Sequence, residues 1–365
     1  MSFKKFGFIG LGLIGGSIAR AIKRSRPDSY IVAYTPHKET VDSAHSEGIV
    51  DKPLYEIGND FSDCDIIFLC APVEINNENL DKLAPFINEN TLITDIGSVK
   101  TGIHDKVKEL GLENQFIGGH PMAGTERIGF SNSKASLLEN AYYILTKTEF
   151  TGEEKIKPYY DLVKEMGAIP LVVPFMQHDY ITAAISHVPH VVSASLVNLV
   201  HDNDSEDQLM KLIAAGGFKD ITRISSSSPV MWQQICTTNS YNISDLLSKY
   251  IDSLIDIKLA IDEHDGDKLY NFFNSAKQYR ESFIETSSGP IMQTFTIHVD
   301  IADKPGNLAK VATLLSDNNI NIKNIGIVHN REYERGTLRI ELHDQSGKDA
   351  AINTLKENGY PIRNS

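Results

Sequence analysis

Cysteine is scarce in this 365-residue sequence: Cys64, Cys70 and Cys236 form no CxxC pair and no metal-like cluster. That pattern excludes a disulfide framework and a zinc site, and leaves reduced, buried thiols as the expectation. Basic residues are in deficit too, with 35 Lys and Arg against 48 Asp and Glu and a formal net charge of −13. Neither nucleic acid nor an anionic membrane is an expected partner of so acidic a chain. An anionic small molecule would need a basic pocket built locally. No run of about 18 apolar residues is apparent, and the amino terminus enters a strand-like segment instead of a signal peptide, so a cytoplasmic protein is expected. Repeats and low-complexity tracts are lacking as well.

What is present divides into three patterns. Over residues 1–173, short runs rich in Ile, Val, Leu and Phe alternate with helical stretches: Lys5–Ile9, Tyr30–Tyr34, Asp65–Leu69, Thr91–Ile96, Gln115–Gly118, Tyr142–Thr146 and Ala168–Val173. Such alternation predicts an α/β domain with a mostly parallel, doubly wound sheet. Over 174–288 strand signals vanish. Ile243, Leu246, Leu247, Tyr250, Ile251 and Leu254 take helical spacing, and Leu269, Phe272, Phe273 and Ala276 do so after a break at Asp265-Gly266. Broad apolar stripes of this kind seek a partner helix, so an all-α dimerisation domain and a homodimer are expected. Residues 293–365 follow the order strand, helix, strand, strand, helix, with a short final segment, which predicts a ferredoxin-like α+β module.

The first strand runs into Gly10-Leu11-Gly12-Leu13-Ile14-Gly15, followed by a helical segment from Ser17. Strand, GxGxxG and helix together form a dinucleotide-binding (Rossmann) signature. The first glycine makes the turn, the second admits the pyrophosphate, and the third lets helix and strand approach. The pyrophosphate would rest on the unpaired N–H groups at the helix start. Ligands of such sheets lie beyond the strands' carboxyl ends, which selects Ala71-Pro72, the segment Asp95 to Lys100, and the loop of His120. His120, expected just after a strand in Gly118-Gly119-His120-Pro121, is positioned to accept a proton as a hydride leaves a neighbouring carbon. Ser98 offers a hydroxyl at the next strand end, or alternatively the N-cap of the helix that follows. His187 and His190 share a helix face around Pro189. Without a motif such as HExxH they suggest polar recognition of a substrate and no metal site. In Gly216 to Arg223, followed by the single tryptophan, Trp232, Arg223 is suited to a carboxylate.

In combination these segments resemble the prephenate dehydrogenase family. The resemblance rests on Gly10 to Ser17, Asp95 to Lys100, Gly118 to Glu126, Ser186 to His190, Gly216 to Arg223 and Met231-Trp232, in that order. It implies oxidative decarboxylation of prephenate with hydride transfer to NAD, His120 as the catalytic histidine, and Ser98 as its partner on the ring hydroxyl. Arg223 would bind the substrate carboxylate; His190, His187, Thr125, Glu126 and Trp232 would line the pocket, and Asp220 would orient its neighbours. Asp303 to Leu308 resembles the start of an ACT domain, implying tyrosine as a feedback effector held by Pro305, Gly306, Asn307 and Leu308.

One departure concerns the coenzyme. The carboxylate that commonly holds a ribose 2′-hydroxyl about 20 residues past the glycines is replaced here by Thr35, His37 and Lys38, which keeps NADP open beside NAD. Gly10, Gly12, Leu13, Ile14, Gly15, Thr35, His37, Lys38, Ala71 and Pro72 make up the expected cofactor site. Competing readings are arogenate dehydrogenase, another β-hydroxyacid dehydrogenase, and a non-catalytic sensor of nucleotide and amino acid.

Overall fold

The computed structural model describes residues 3–125, 127–285, 295–302, 304–328 and 335–363. The chain forms two compact units, residues 1–265 and 266–365.

The first unit opens with β1 (Lys5–Ile9), α1 (Leu13–Ser25), β2 (Tyr30–Tyr34), α2 (Lys38–Ser46), β3 (Lys52–Leu54), β4 (Ile66–Leu69), α3 (Val73–Leu83), β5 (Leu92–Asp95) and α4 (Thr101–Glu109). Its five-stranded sheet has the order β3-β2-β1-β4-β5, every pairing parallel. Alternation along each strand sends one set of side chains to each face. Phe6, Phe8, Ile31, Ala33, Ile66 and Phe68 join Ile18 and Ile22 of α1 in one core. Ile9, Val32, Ile67, Leu69 and Ile93 meet Leu80 and Leu83 of α3 and Ile103 and Val107 of α4 in the other. Burial on both faces is why these strands read as continuous apolar runs. The short β3 gave no such signal.

β6 (Ile117–Pro121), β7 (Tyr142–Lys147), α5 (Glu153–Glu165) and β8 (Ile169–Val172) follow. Phe116, just before β6, forms a parallel bridge with Ile93 of β5; β6 pairs antiparallel with β7, and β7 pairs parallel with β8. β6 thus extends past its expected end: His120 lies inside the strand, paired with Ile144, and not in a loop after it.

The helical part comprises α6 (Phe175–Thr182), α7 (Val188–Asn203), α8 (Leu209–Ile213), α9 (Gly216–Thr222), α10 (Pro229–Thr238) and α11 (Ser240–Asp262). α6 and α7 join through a π turn at Ala183–His187. Pro189 lacks the N–H that would meet the carbonyl of Ile185, and the wider turn absorbs that mismatch. By length and composition Phe175–Asn203 is apolar enough to cross a membrane, contrary to the expectation from sequence. Its polar side chains are nevertheless hydrogen-bonded into this unit: Asp179 to α4, and His187 to Asn239 at the α10–α11 junction. Those bonds tie this helix to the start of α4 and to the α10–α11 junction. On α11, Ile243 is buried with Val99, Ala183 and Ile235, and Leu246 and Leu247 lie against them. Further along, Ile251 and Leu254 are exposed.

The second unit holds α12 (Gly266–Glu285), β9 (Phe295–Ala302), α13 (Asn307–Asp317), β10 (Ile322–Val328), β11 (Arg335–Leu342), α14 (Gln345–Glu357) and β12 (Ile362–Arg363). The sheet order is β10-β11-β9-β12, with all pairs antiparallel, which is the ferredoxin-like arrangement expected. Ile297, Val299, Leu338 and Ile340 on one sheet face pack against Val311, Leu315, Ala351 and Leu355 of the two helices.

Candidate active site

The glycine turn follows the physical roles its spacing implies. Gly10 has φ of 99°, and a Cβ there would lie 2.9 Å from the backbone carbon of Cys70. A Cβ on Gly15 would meet Cys70 Cβ at 2.9 Å, so the third glycine sets the close approach of α1 to the sheet. Gly12 faces open space, with nothing within 4 Å of such a Cβ, and is the N-cap of α1 with no side-chain cap. A free helix start beside an open glycine is a cradle for a pyrophosphate. It lies where strand order reverses between β1 and β4, the amide of Cys70 bonding the carbonyl of Ile9 at 2.7 Å. Leu13 and Ile14 open the helix.

Across the cradle, Ala71 and Pro72 form the β4–α3 turn. Asn76, buried and not foreseen from sequence, clamps it: its carbonyl accepts from Ala71 N–H at 3.0 Å and its amide donates to Ala71 O at 2.9 Å. Thr35 is buried at the end of β2, whereas His37 and Lys38 are exposed at the start of α2. The Lys38 ammonium stands 4.6 Å from the centre of the Tyr55 ring.

His120 is the hub of a buried polar network. Its Nδ1 lies 2.8 Å from Nε2 of His178, whose Nδ1 lies 2.8 Å from Oδ1 of Asp179. Asp179 also accepts from the backbone N–H of Lys100 at 2.8 Å and from the N–H and hydroxyl of Thr101 at 2.8 and 2.6 Å. It thereby occupies the donors at the start of α4, and Ser98, in the bend before them, is not that helix's cap. Lys100 is fully buried, paired with the Asp95 carboxylate, and donates to the carbonyl of Gly119 at 2.7 Å. Gly118 and Gly119 admit this arrangement: a Cβ on Gly119 would lie 2.7 Å from Asp95 O, and one on Gly118 3.2 Å from the Lys100 side chain. These glycines serve close packing and not loop freedom.

Burial, followed by the neighbouring His178, Lys100 and His187, drives the pKa of His120 well below the ordinary histidine range, so it stands neutral as a base should. Burial lowers His178 as well, against the opposing pull of its bond to Asp179. For Asp179, burial resists ionisation, but the hydrogen bonds from His178, Thr101 and Lys100 prevail and hold it below the usual carboxylate value.

A second cluster surrounds Trp232. His190 stacks on the indole at 3.8 Å between centroids, and His187 meets it edge-on at 6.0 Å. Asn239 Nδ2 lies 3.1 Å from His187 Nδ1 and donates to the carbonyl of Asp179 at 2.8 Å, tying this cluster to the first. The proximity of His187 and His120 is felt in the depressed pKa of the latter. Burial, then the charge of Arg223, lowers His190, which places Arg223 in the same neighbourhood, at the junction of α9 and a 3-10 turn. The indole N–H of Trp232 is buried without a hydrogen-bond partner among the described residues.

The structure thus gathers His120, His187, His190, Trp232 and Arg223. It leaves Asp220 exposed on α9, and Thr125 exposed in the segment after β6, where its hydroxyl accepts from Arg127 N–H at 3.2 Å. Glu126 lies outside the described residues. Asp95 and Lys100 were read only as the ends of a ligand-facing segment, and His178, Asp179, Asn239 and Asn76 received no role from sequence; the adjacent His178-Asp179 pair one turn after Pro174 was the signal available. In the second unit Gly306 has φ of 86° and caps α13, which begins at Asn307; Leu308 is exposed, Pro305 precedes the turn, and Asp303 lies outside the described residues.

Comparison with known proteins agrees with this layout. Family models described as prephenate dehydrogenase nucleotide-binding domain, prephenate dehydrogenase dimerization domain and ACT domain match residues 18–172, 175–275 and 292–358. A prephenate dehydrogenase of Bacillus subtilis is 36% identical, over 94% of this chain and 93% of its own. Among solved structures, prephenate dehydrogenase from A. aeolicus, in complex with hydroxyphenyl propionate and NAD+, superposes with a TM-score of 0.73 at 31% identity, covering 78% of this chain and 99% of that one. Synechocystis arogenate dehydrogenase gives 0.69 at 29% identity, covering 77% and 100%.

Proposed function

This chain belongs to the prephenate dehydrogenase family, and we propose that it converts prephenate to 4-hydroxyphenylpyruvate with NAD, as a cytoplasmic homodimer in tyrosine biosynthesis. The observation that carries the reading is the neutral, network-held imidazole of His120 at the sheet edge shared with Asp95 and Lys100. Bound NAD supplies the acceptor for the hydride from the ring carbon that bears the hydroxyl. His120 takes the hydroxyl proton, and Ser98 hydrogen-bonds the same oxygen. Arg223 and His190 hold substrate carboxylate, while Trp232 and His187 close the pocket over the ring. Loss of CO₂ makes the ring aromatic, so the protein's work is positioning and one proton transfer. Within the fold, Gly12 and the start of α1 suit the pyrophosphate of the coenzyme.

In the same reading the carboxy-terminal module binds tyrosine as a feedback effector at Pro305, Gly306, Asn307 and Leu308. The left-handed turn at Gly306 and the helix start at Asn307 support this. The exposed Ile251 and Leu254 of α11 support a second copy as the cover of that helix.

The test is absorbance at about 340 nm, the signature of reduced nicotinamide, when the purified chain meets prephenate and NAD, with arogenate and NADP in parallel. Reduction in none of the four combinations overturns the proposal; reduction with arogenate alone reassigns the substrate.

A further inference from the structure

The hydrogen bonds around His120 determine more than its location. Both oxygens of Asp179 are occupied by donors: the Lys100 N–H and His178 Nδ1 on one, and the Thr101 N–H and hydroxyl on the other. A carboxylate can only accept, so the proton between it and His178 sits on His178 Nδ1. A neutral imidazole with Nδ1 protonated has a bare Nε2. That nitrogen faces Nδ1 of His120 at 2.8 Å, so it must receive a hydrogen bond there. The His120 proton is therefore on Nδ1, and its own Nε2 is bare.

We propose that His178 and Asp179 form a positioning dyad that sets the tautomer of His120, leaving its Nε2 as the acceptor of the substrate hydroxyl proton. The inference rests on the dehydrogenase reading above. Each link in the chain of protons depends on the one before, so reversing the first reverses them all. The logic is that of a carboxylate orienting a catalytic imidazole, with a second imidazole inserted between them. Burial of His178, fully shielded from solvent, keeps water from competing for either bond. Asn239 gives His187 the opposite tautomer: the Asn239 oxygen accepts from Asn242 at 2.8 Å, so its amide nitrogen donates to His187 Nδ1.

The test uses the full chain labelled with ¹⁵N-histidine, with the His120 resonances identified by their loss in His120→Asn. Expected is a His120 with Nδ1 protonated and Nε2 bare. Asp179→Asn should move the proton to Nε2 and lower kcat about 10²- to 10⁴-fold. The KM values for prephenate and NAD should stay within about threefold, because ground-state binding is untouched. As Asp179 also holds the start of α4, a variant that fails to fold transfers the decision to His178. There His178→Gln, whose carboxamide oxygen can stand in for Nε2, should keep turnover within about tenfold, and His178→Leu should lose at least about a hundredfold. A wild-type His120 protonated on Nε2, or equal turnover in the Gln and Leu variants, overturns the dyad. An inactive His120→Asn alongside near-normal Asp179→Asn overturns the dyad alone; a fully active His120→Asn overturns the role of His120 itself.

Discussion

The ammonium of Lys100, shielded completely from solvent, donates to the carbonyl oxygen of Gly119 at 2.7 Å while paired with Asp95. One side chain thus ties the end of β5 to the strand that carries His120. Desolvation lowers the pKa of Lys100, with the Asp95 charge and hydrogen bond opposing. Removing one member of a buried ion pair typically costs about 3–5 kcal/mol, because the survivor is left uncompensated. Lys100→Met is expected to destabilise the first unit by about that much, and Lys100→Met with Asp95→Leu by less than the sum of the single changes. Urea denaturation of the four proteins measures the coupling; additive losses would refute it.

His120→Asn is expected to lower kcat at least about a hundredfold with little change in the KM for NAD, since it removes a proton acceptor and no coenzyme contact. Steady-state kinetics at saturating prephenate decide the matter, and near-normal turnover would remove His120 from the mechanism.

The glycine turn yields a contrast between two similar substitutions. Gly15→Ala drives a Cβ to 2.9 Å from Cys70 Cβ and should cost about 1–3 kcal/mol through overpacking. Gly12→Ala meets nothing within 4 Å, at a φ of −85° that any residue adopts, so the melting temperature should hold. Its KM for NAD should rise at least about tenfold, because the added methyl occupies the pyrophosphate's path. A Gly12→Ala chain with unaltered coenzyme affinity would move the cradle elsewhere.

Acid should destabilise the first unit well above the carboxylate range. Burial lowers His104 to about 3 and His187 to about 4. Between the unfolded value of about 6.5 and those folded values, the unfolded chain binds protons the native one refuses. Stability is complete above about pH 6.5 and falls with pH below it, by up to about 1.4 kcal/mol per pH unit for each imidazole. His104 bonds Thr146 at 2.9 Å and stacks on Phe175, apart from the proposed chemistry, so His104→Gln should remove about one proton from the slope. Denaturation midpoints from pH 7 to 5 test this, and a slope unchanged by the substitution would count against it.

Tyrosine should bind the full-length chain and slow it, and Asn307→Ala should relieve that inhibition while sparing the uninhibited rate. Calorimetry showing no heat with tyrosine or any other aromatic amino acid would eliminate the effector proposal.

Much of the architecture was readable because its causes are local. Strands buried on both faces must be apolar throughout, so β1, β2 and β4 announced themselves, whereas the three residues of β3 did not. The glycine hexamer and His120 were visible because turn geometry and loop chemistry constrain adjacent residues. Two details depart from that reading. His120 belongs to a strand, and its flanking glycines are required by Asp95 and Lys100 behind them.

His178 and Asp179 sit 58 and 79 positions from the groups they bond, inside a helix whose composition is mostly apolar. No periodicity encodes such distances. Residue order alone was enough to establish the α/β, helical and ferredoxin-like succession and the dinucleotide turn, because hydrophobic spacing and glycine backbone freedom act within a few residues. The state of His120, its neutrality and the face of the ring left bare, emerged only on folding, because burial and proton direction depend on groups that the chain brings together from three separate segments.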